Sequence, residues 1–521
     1  MIRVPLALLL AATLLCGLCG CSFFYSEEEL SQILGASDPD DTENPSEDPA
    51  MDRMFSLSYY TEEELDPYTS SSRTNSELLR LCYSGLFALS SEYEAIPVMA
   101  GSYEADGNSV LIRLKEGIRF SDGALVTAED CRASYDRAKA KGSVWREAFS
   151  YIRSYEVVDS QTFRVTFYNA FSPTQLNLLT VPVVRADMSD LAGYPIGCGR
   201  YRISTANGFD LVRADCGILS GEYGIEAISL LGIADREALI YNFNYGRLQA
   251  VCADLSLGTD EYRSDSELVT VPTNRFTFLV VNKSRPELAN VNFSKGITYL
   301  LDRSALVEEA CSSFATPVWY PYNPDWKTVK QAGFNPDIRS TVAAAEAFDA
   351  AGLLMEDTVR MYNKAPVTLR ILVNRENASR VKAAEYIATA LQGAGFTVEL
   401  VQATWDEYRT AVRTLDFDLY LGEVNLPSNM DLSALYDYDL CNAGLQSFEY
   451  QNQLASLRAM GAEVLAGEVD PRTFVSEFQN VLPFIPLYYS LDALAVSMDV
   501  VGTFGASASE LYWDIEHWSF S

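Results

Sequence analysis

A single histidine among 521 residues removes several chemistries at once. His517 lies between Trp513 and Trp518, with no cysteine or other histidine at metal-ligand spacing, so the sequence offers no zinc site of the His/Cys type. A Ser-His-Asp hydrolase would need that histidine as its base, and no Gly-x-Ser-x-Gly elbow accompanies it. No Gly-rich Walker-type loop is present, so any ATPase working with the chain is a separate subunit. Basic residues are also scarce: 39 Lys and Arg stand against 71 Asp and Glu, for a net charge of −32. That excess argues against nucleic acid and anionic lipid headgroups as partners. Paired carboxylates of a surface glycoside hydrolase stay open, because their separation of roughly 5 to 9.5 Å is a spatial fact. No catalytic residue, metal site or cofactor is read from the sequence, and a non-enzyme is expected.

A charge-free apolar run occurs once, at the beginning. Arg3 precedes the apolar stretch Val4–Leu18, and the first twenty residues contain no acid. This is a signal-peptide pattern. Leu18-Cys19-Gly20-Cys21 then places a small residue directly before a cysteine, as cleavage and thioether lipidation require. Cys21 is read as the lipidated first residue of the mature chain, whereas Cys16 and Cys19 each follow a leucine. The alternative is an uncleaved N-terminal helix of roughly 20 apolar residues. Both readings put the remainder outside the cytoplasm, and two or more acyl chains on Cys21 would anchor it to a bilayer. Residues 21–52, with SDPDDTENPSEDP at their centre, lack apolar periodicity and read as an acidic tether. Seven cysteines follow Cys21, an odd and widely spaced set from which no disulfide framework can be drawn.

The remaining length is too great for one ordinary core and predicts two or three lobes. VLIRL (110–114) and FRVTF (163–167) alternate as half-buried strands do. Between them Thr127 and Asp130 predict a capping box for a helix whose buried stripe is Ala128, Cys131, Tyr135 and Ala138. VTLRILV (367–373), a helix over about 379–392 ended by Gly393 and Gly395, and FTVELV (396–401) form a strand–helix–strand unit, hence a parallel pair. DFDLYLGEV (416–424) adds a further strand. Ligands in open α/β sheets gather beyond the carboxyl ends of strands, which draws attention to the residues after Leu421.

Several blocks, in order, resemble the extracytoplasmic solute-binding proteins of the dipeptide, oligopeptide and nickel ABC importer family. They are Leu65-Asp66-Pro67, CYSGLFAL (82–89), IRLKEGIRFSDGALVTAEDCRASYDRAK (112–139), PIGCGRYRI (195–203), FLVVNKSRPELANVNFSKGITYLLDRSALV (278–307) and LPFIPLYY (482–489). The resemblance implies an α/β fold of the two-lobed type II periplasmic-binding-protein kind, with an extra subdomain and a hinge of two crossing segments. Lobe I would comprise 53–76, 190–276 and 485–521, the inserted subdomain 77–189, and lobe II 277–484. It further implies a monomeric, lipid-anchored receptor that passes a small molecule or peptide to ABC importer permeases served by separate ATPase subunits. Oligosaccharide or metal-chelate cargo, and a sensing role without import, remain alternatives.

By the same resemblance the cleft is lined by the segment after Leu65-Asp66-Pro67, here Ser70, Ser71, Arg73 and Asn75, and by Gly422, Glu423, Asn425 and Asn429 after the late strand. Peptide-binding members place an aspartate in the second segment to hold the ligand's α-ammonium. GEVNLPSNMDL (422–432) instead has Asn425 near that position and Glu423 where a tryptophan is usual. Glu423 would supply the missing charge, or be a solvated loop acid. Asp431 suits the cap of the following segment. Arg73 suits a ligand carboxylate or an interlobe contact. The WYPYNPDW run (319–326) offers Trp319 and Tyr320 either as a stacking surface or as core.

Overall fold

The computed structural model describes residues 54–521 other than 191, 207, 219–222, 254–261, 263–264, 437–442, 445–446 and 506, with backbone alone at 187 and 188. Cys21, the apolar leader, the acidic tether and Cys441 lie outside the described residues. Among the described residues no helix is long and apolar enough to cross a membrane.

The chain enters on strand β1 (Phe55–Tyr60) and helix α1 (Arg73–Cys82). Strands β2 (Ala100–Asp106), β3 (Ser109–Leu114), β4 (Ile152–Asp159) and β5 (Thr162–Phe167) then form an antiparallel sheet in the order β2-β3-β5-β4. Helix α2 (Ala128–Lys139) packs on it through the predicted stripe: Ala128, Cys131, Tyr135 and Ala138 are all fully buried, and the Tyr135 ring meets Phe163 edge-on at 5.2 Å. The predicted capping box is present, with the Thr127 amide donating to Asp130 Oδ2 at 2.9 Å and the Asp130 amide donating to Thr127 Oγ1 at 3.4 Å. Two orphan amides are thereby satisfied at the helix start.

A second small sheet joins β1 to β6 (Tyr201–Ser204), β7 (Asp210–Arg213) and β8 (Ala227–Ile233) in the order β1-β8-β7-β6, with β1 and β8 parallel. Helix α3 (Arg236–Asn244) and strand β9 (Ala250–Ala253) lead into β10 (Ser266–Val281), the longest strand. Then come α4 (Arg303–Cys311), β11 (Ala315–Pro317), β12 (Thr368–Asn374), α5 (Ala378–Gly393), β13 (Thr397–Ala403), β14 (Leu419–Asn425) and β15 (Ile485–Ser497). The main sheet runs β9-β15-β10-β14-β12-β13, with β11 added on β15. As the strand–helix–strand pattern requires, β12 and β13 are parallel, and β14 joins β12 in parallel as well. Helix α5 keeps Gly393, while Gly395 takes the left-handed turn at φ +95° that lets the chain reverse into β13.

Strands β10 and β15 each contribute to three cores. Val271, Leu494 and Val496 pack with Phe55, Leu57 and Trp518, whereas Phe276, Phe278 and Tyr489 pack with Tyr322, Phe474 and Phe484. A third cluster behind the sheet gathers Leu279, Ile371, Ile387, Leu421 and Ile485. The change of core coincides with a slip in register between Pro272 and Phe276 against β15. Buried side chains of the β2–β5 sheet, such as Val110 and Phe163, share the first core, but Leu89 and Tyr93 pack into the second.

Candidate functional site

The antiparallel register of β10 and β14 sets Thr277 opposite Glu423 and Arg275 opposite Asn425, and β15 sets Tyr488 opposite Thr277. Because side chains alternate, Arg275, Thr277, Glu423 and Tyr488 share one sheet face. That face floors a cavity of about 490 Å³, within the range of small-molecule sites. Thr277 Oγ1 donates to Glu423 Oε2 at 3.4 Å, and the Glu423 side chain is half-buried at the cavity wall. Gly422 beside it is required by packing, since a Cβ there would stand 2.8 Å from the Phe278 ring.

Three helix starts close the cavity. Ser72 caps α1 by accepting the Asn75 amide at 3.2 Å, which aims Arg73 and Thr74 at the cavity. Asp235 caps α3 by accepting the Ala238 amide at 2.8 Å, and Arg236 follows it into the wall. Asn377 caps α5 by accepting the Arg380 amide at 2.9 Å, and Asn377, Ser379 and Arg380 all line the cavity.

Asp492 on β15 accepts both Arg73, at 3.0 Å, and Arg275, at 2.6 Å. Arg73 also reaches the buried Glu77 at 3.0 Å. Burial opposes the charge on Arg73, yet Glu77 and Asp492 outweigh it and hold the guanidinium above its ordinary pKa. Cys252 and Cys311 line the same cavity, and burial pushes their thiols up to about 12 and about 11 respectively. Both are protonated at neutral pH, which disarms them as nucleophiles.

The Arg73–Asp492–Arg275 bridge also borders a second cavity of about 490 Å³, lined by Tyr93, Trp145, Asn177, Asn274, Asn425 and Ser428 among others. There Asn177 Nδ2 donates to the carbonyls of Tyr93 at 2.8 Å and Ser428 at 2.9 Å, and Ser428 Oγ donates back to the Asn177 carbonyl at 2.9 Å. The bridge is therefore a partition between two chambers.

Of the residues expected at the site, Arg73, Glu423 and Asn425 line these chambers, Asn425 only the second. Ser70 and Ser71 turn instead to Glu63, donating at 3.3 and 3.0 Å, and Ser70 is buried. Asn75 is fully buried, accepting the Tyr60 amide at 2.7 Å and donating to the Tyr60 carbonyl at 3.0 Å, which pins α1 to β1. Asn429 is buried and accepts the Asp431 amide at 3.2 Å, while Asp431 accepts the Ser433 amide at 2.9 Å, two residues ahead of a short 3₁₀ turn whose first bond runs to the Leu432 carbonyl. Trp319 donates its indole N–H to the Asn335 carbonyl at 2.7 Å, and Tyr320 stacks on Phe334 with centroids 4.3 Å apart. Both belong to the second core and neither lines the chambers.

Arg236, Arg275, Arg380 and Asp492 were not singled out by sequence. One signal was readable: Asn377 before a periodic helix marks a start whose first turn holds Arg380. His517 Nδ1 lies 2.7 Å from Asp514 Oδ1, with Glu516 close by, but Glu516 is buried and paired with Arg200 at 3.0 Å.

Comparison with known proteins agrees with this architecture. The glutathione-binding protein GsiB of Escherichia coli K12 is 24% identical over 328 residues, an alignment covering 56% of this chain and 64% of the relative. The match thus spans somewhat under two thirds of that protein's length. Among solved structures, NikA from Brucella suis in complex with Fe(III)-EDTA superposes with a TM-score of 0.69 at 18% identity, covering 89% of this chain and all of that one. A nickel ABC transporter structure from Bacillus halodurans gives 0.71 at 20% identity, covering 88% and 98%. These likenesses show the fold as the two-lobed periplasmic-binding-protein type. The model of the middle region of family 5 matches residues 94–445, and on that span the chain belongs to the bacterial extracellular solute-binding proteins of family 5.

Proposed function

We propose that the chain is the substrate-binding lipoprotein of an ABC importer, held outside the cytoplasm by acylated Cys21 and capturing a small solute of the peptide class. The observation that carries this reading is the pair of chambers on either side of the Arg73–Asp492–Arg275 bridge, both lined from α1, β10, β14 and β15. A solute touching both sides stabilises the closed arrangement, and a permease that recognises closure receives loaded protein in preference to empty protein. Lobe I is assigned to 53–76, 190–276 and 485–521, lobe II to 277–484, and the inserted subdomain to 77–189. Supporting this division, β10 changes core between Val271 and Phe276. No covalent step is required of any residue, and the protein acts as a monomer.

The test is thermal-shift screening of the purified chain against peptide, sugar and metal-chelate libraries. A solute at 100 times its Kd adds about 2.7 kcal/mol of stability. Stabilisation by short peptides is the expected result. Cleavage of a polymer, with no small solute stabilising the fold, would overturn the reading.

A further inference from the structure

We infer that the Arg73–Asp492–Arg275 bridge is a length filter: it confines the solute to one chamber and so restricts the receptor to short peptides of two or three residues. This rests on the solute-receptor reading and deepens it by naming the size of the solute and the residues that set it. Arg73, Arg275 and Asp492 line both cavities, and among the described residues they are the only ones that do. The wall between the two chambers is therefore this bridge. Were it absent, the cavities would be continuous.

Each member of the wall is held by the protein itself. Asp492 takes Arg73 on one carboxylate oxygen at 3.0 Å and Arg275 on the other at 2.6 Å. Arg73 is held from the α1 side by the buried Glu77 at 3.0 Å, and Arg275 Nη2 donates to the Leu491 carbonyl at 3.2 Å. With these charges paired inside the protein, the bridge meets a solute as a barrier rather than as a binding group. Swinging either arginine aside strips a partner from Asp492, whose side chain is only 13% exposed, a cost that any solute crossing the wall must offset. A compact cavity of about 490 Å³ is roughly 10 Å across, and an extended chain advances about 3.4 Å per residue, so one chamber takes about three residues. The second chamber has the same volume, so joining the two would roughly double the length accommodated. A longer peptide in the intact protein overfills its chamber and holds the walls apart.

The experiment is native mass spectrometry of the full chain incubated with mixed-sequence peptide pools, two to six residues long and at equal concentration, which reads the length of the peptide held whatever its side chains. Wild type is expected to hold peptides of two and three residues roughly 10-fold more than those of five and six, the worth of about one hydrogen bond forfeited when the walls are held apart. The double variant Arg275→Ser with Asp492→Ser removes one charge of each sign, leaves Arg73 on Glu77 and joins the chambers. It should shift the held population towards five and six residues by a similar factor, and Arg275→Ser alone serves as the second variant should circular dichroism show the double variant unfolded. Asp492→Asn keeps the shape of the wall without its charge and should keep the preference for short peptides. A preference that survives in the folded double variant, or a wild type that holds long peptides as readily as short ones, would overturn the inference while leaving the receptor reading intact. So would a loss of preference in Asp492→Asn as large as in the double variant, or a chain that holds a sugar or chelate and no peptide of any length. Stabilisation of the fold by no small solute of any kind would overturn both.

Discussion

Glu77 makes the sharpest test of how the cavity wall is held. Its side chain is fully buried on α1, with Oε1 3.0 Å from Arg73 Nη2 and 3.5 Å from Arg80 Nε, and Oε2 accepting the Leu511 amide at 2.6 Å. One carboxylate thus anchors the cavity arginine and ties α1 to the C-terminal segment. Removing one partner of a buried ion pair costs about 3–5 kcal/mol, because the other charge is left uncompensated. Here Arg73 and Arg80 keep 43% and 27% of their side chains exposed, so solvent takes up part of that loss. Glu77→Leu is therefore expected to destabilise by about 3 kcal/mol, the low end of that range. Glu77→Gln keeps the shape and the Leu511 hydrogen bond and loses only charge, which predicts about 2 kcal/mol. The assay is urea unfolding followed by tryptophan fluorescence, with the slope checked for constancy between variants. Burial lowers the pKa of Arg80, and Glu77 opposes that shift, so Arg80 is the charge left most exposed to the loss. Adding Arg80→Met to Glu77→Leu should then recover stability. A Gln variant within about 0.5 kcal/mol of wild type, the scatter of an ordinary surface substitution, would refute the account.

Two further predictions concern the neighbourhood of the site. Gly422→Ala would place its methyl 2.8 Å from the Phe278 ring, which is itself stacked on Phe276 at 5.5 Å, so the ring has little freedom to retreat. A loss of about 1–3 kcal/mol, typical of overpacking, is expected in the same urea assay, together with weaker ligand binding through displaced Glu423. Glu63 gives a pH signature. Burial alone would raise its carboxyl, but the Ser72 amide and the hydroxyls of Ser72, Ser71 and Ser70 bring it below the ordinary value of 4.5. A folded-state pKa below the unfolded one contributes stability that is complete above that ordinary value and is lost as pH falls through the depressed one. The urea-midpoint difference between wild type and Glu63→Gln should accordingly be constant near neutrality and shrink in acid; a difference unchanged from pH 7 to pH 3 would sink the assignment.

Short-range physics was legible in the sequence, and long-range pairing was not. The Thr127–Asp130 box, the α2 stripe and the parallel β12–β13 pair all depend on spacings of a few residues or on one strand–helix–strand unit, and each formed as read. Ser70, Ser71 and Asn75 were expected at the cleft because their segment resembled one that lines it. Their partners Glu63 and Tyr60, which engage them inside the lobe, sit 7 to 15 residues away with nothing in the spacing to announce it. Trp319 and Tyr320 went to the core because Phe334 and Asn335, across a loop, supply a stacking partner and a carbonyl. Arg275 and Asp492 meet because β10 and β15 bring distant stretches of chain side by side, and Arg73 reaches Asp492 from the start of α1, more than 400 residues away in sequence.

Net charge illustrates the same division between what composition sets and what the fold sets. A balance of −32 describes the surface as a whole, and it argued against large anionic partners. Charges separated by more than about 8 Å of physiological saline scarcely feel one another, so that balance does not reach into a chamber walled by protein. Inside it the local pairings set the potential, with Asp492 between Arg73 and Arg275 and Glu77 on Arg73. A solute small enough to enter meets those paired charges, whereas an anionic polymer or bilayer meets the acidic exterior alone. The acidic surface therefore turns away large anions without setting what a small solute meets inside the chamber.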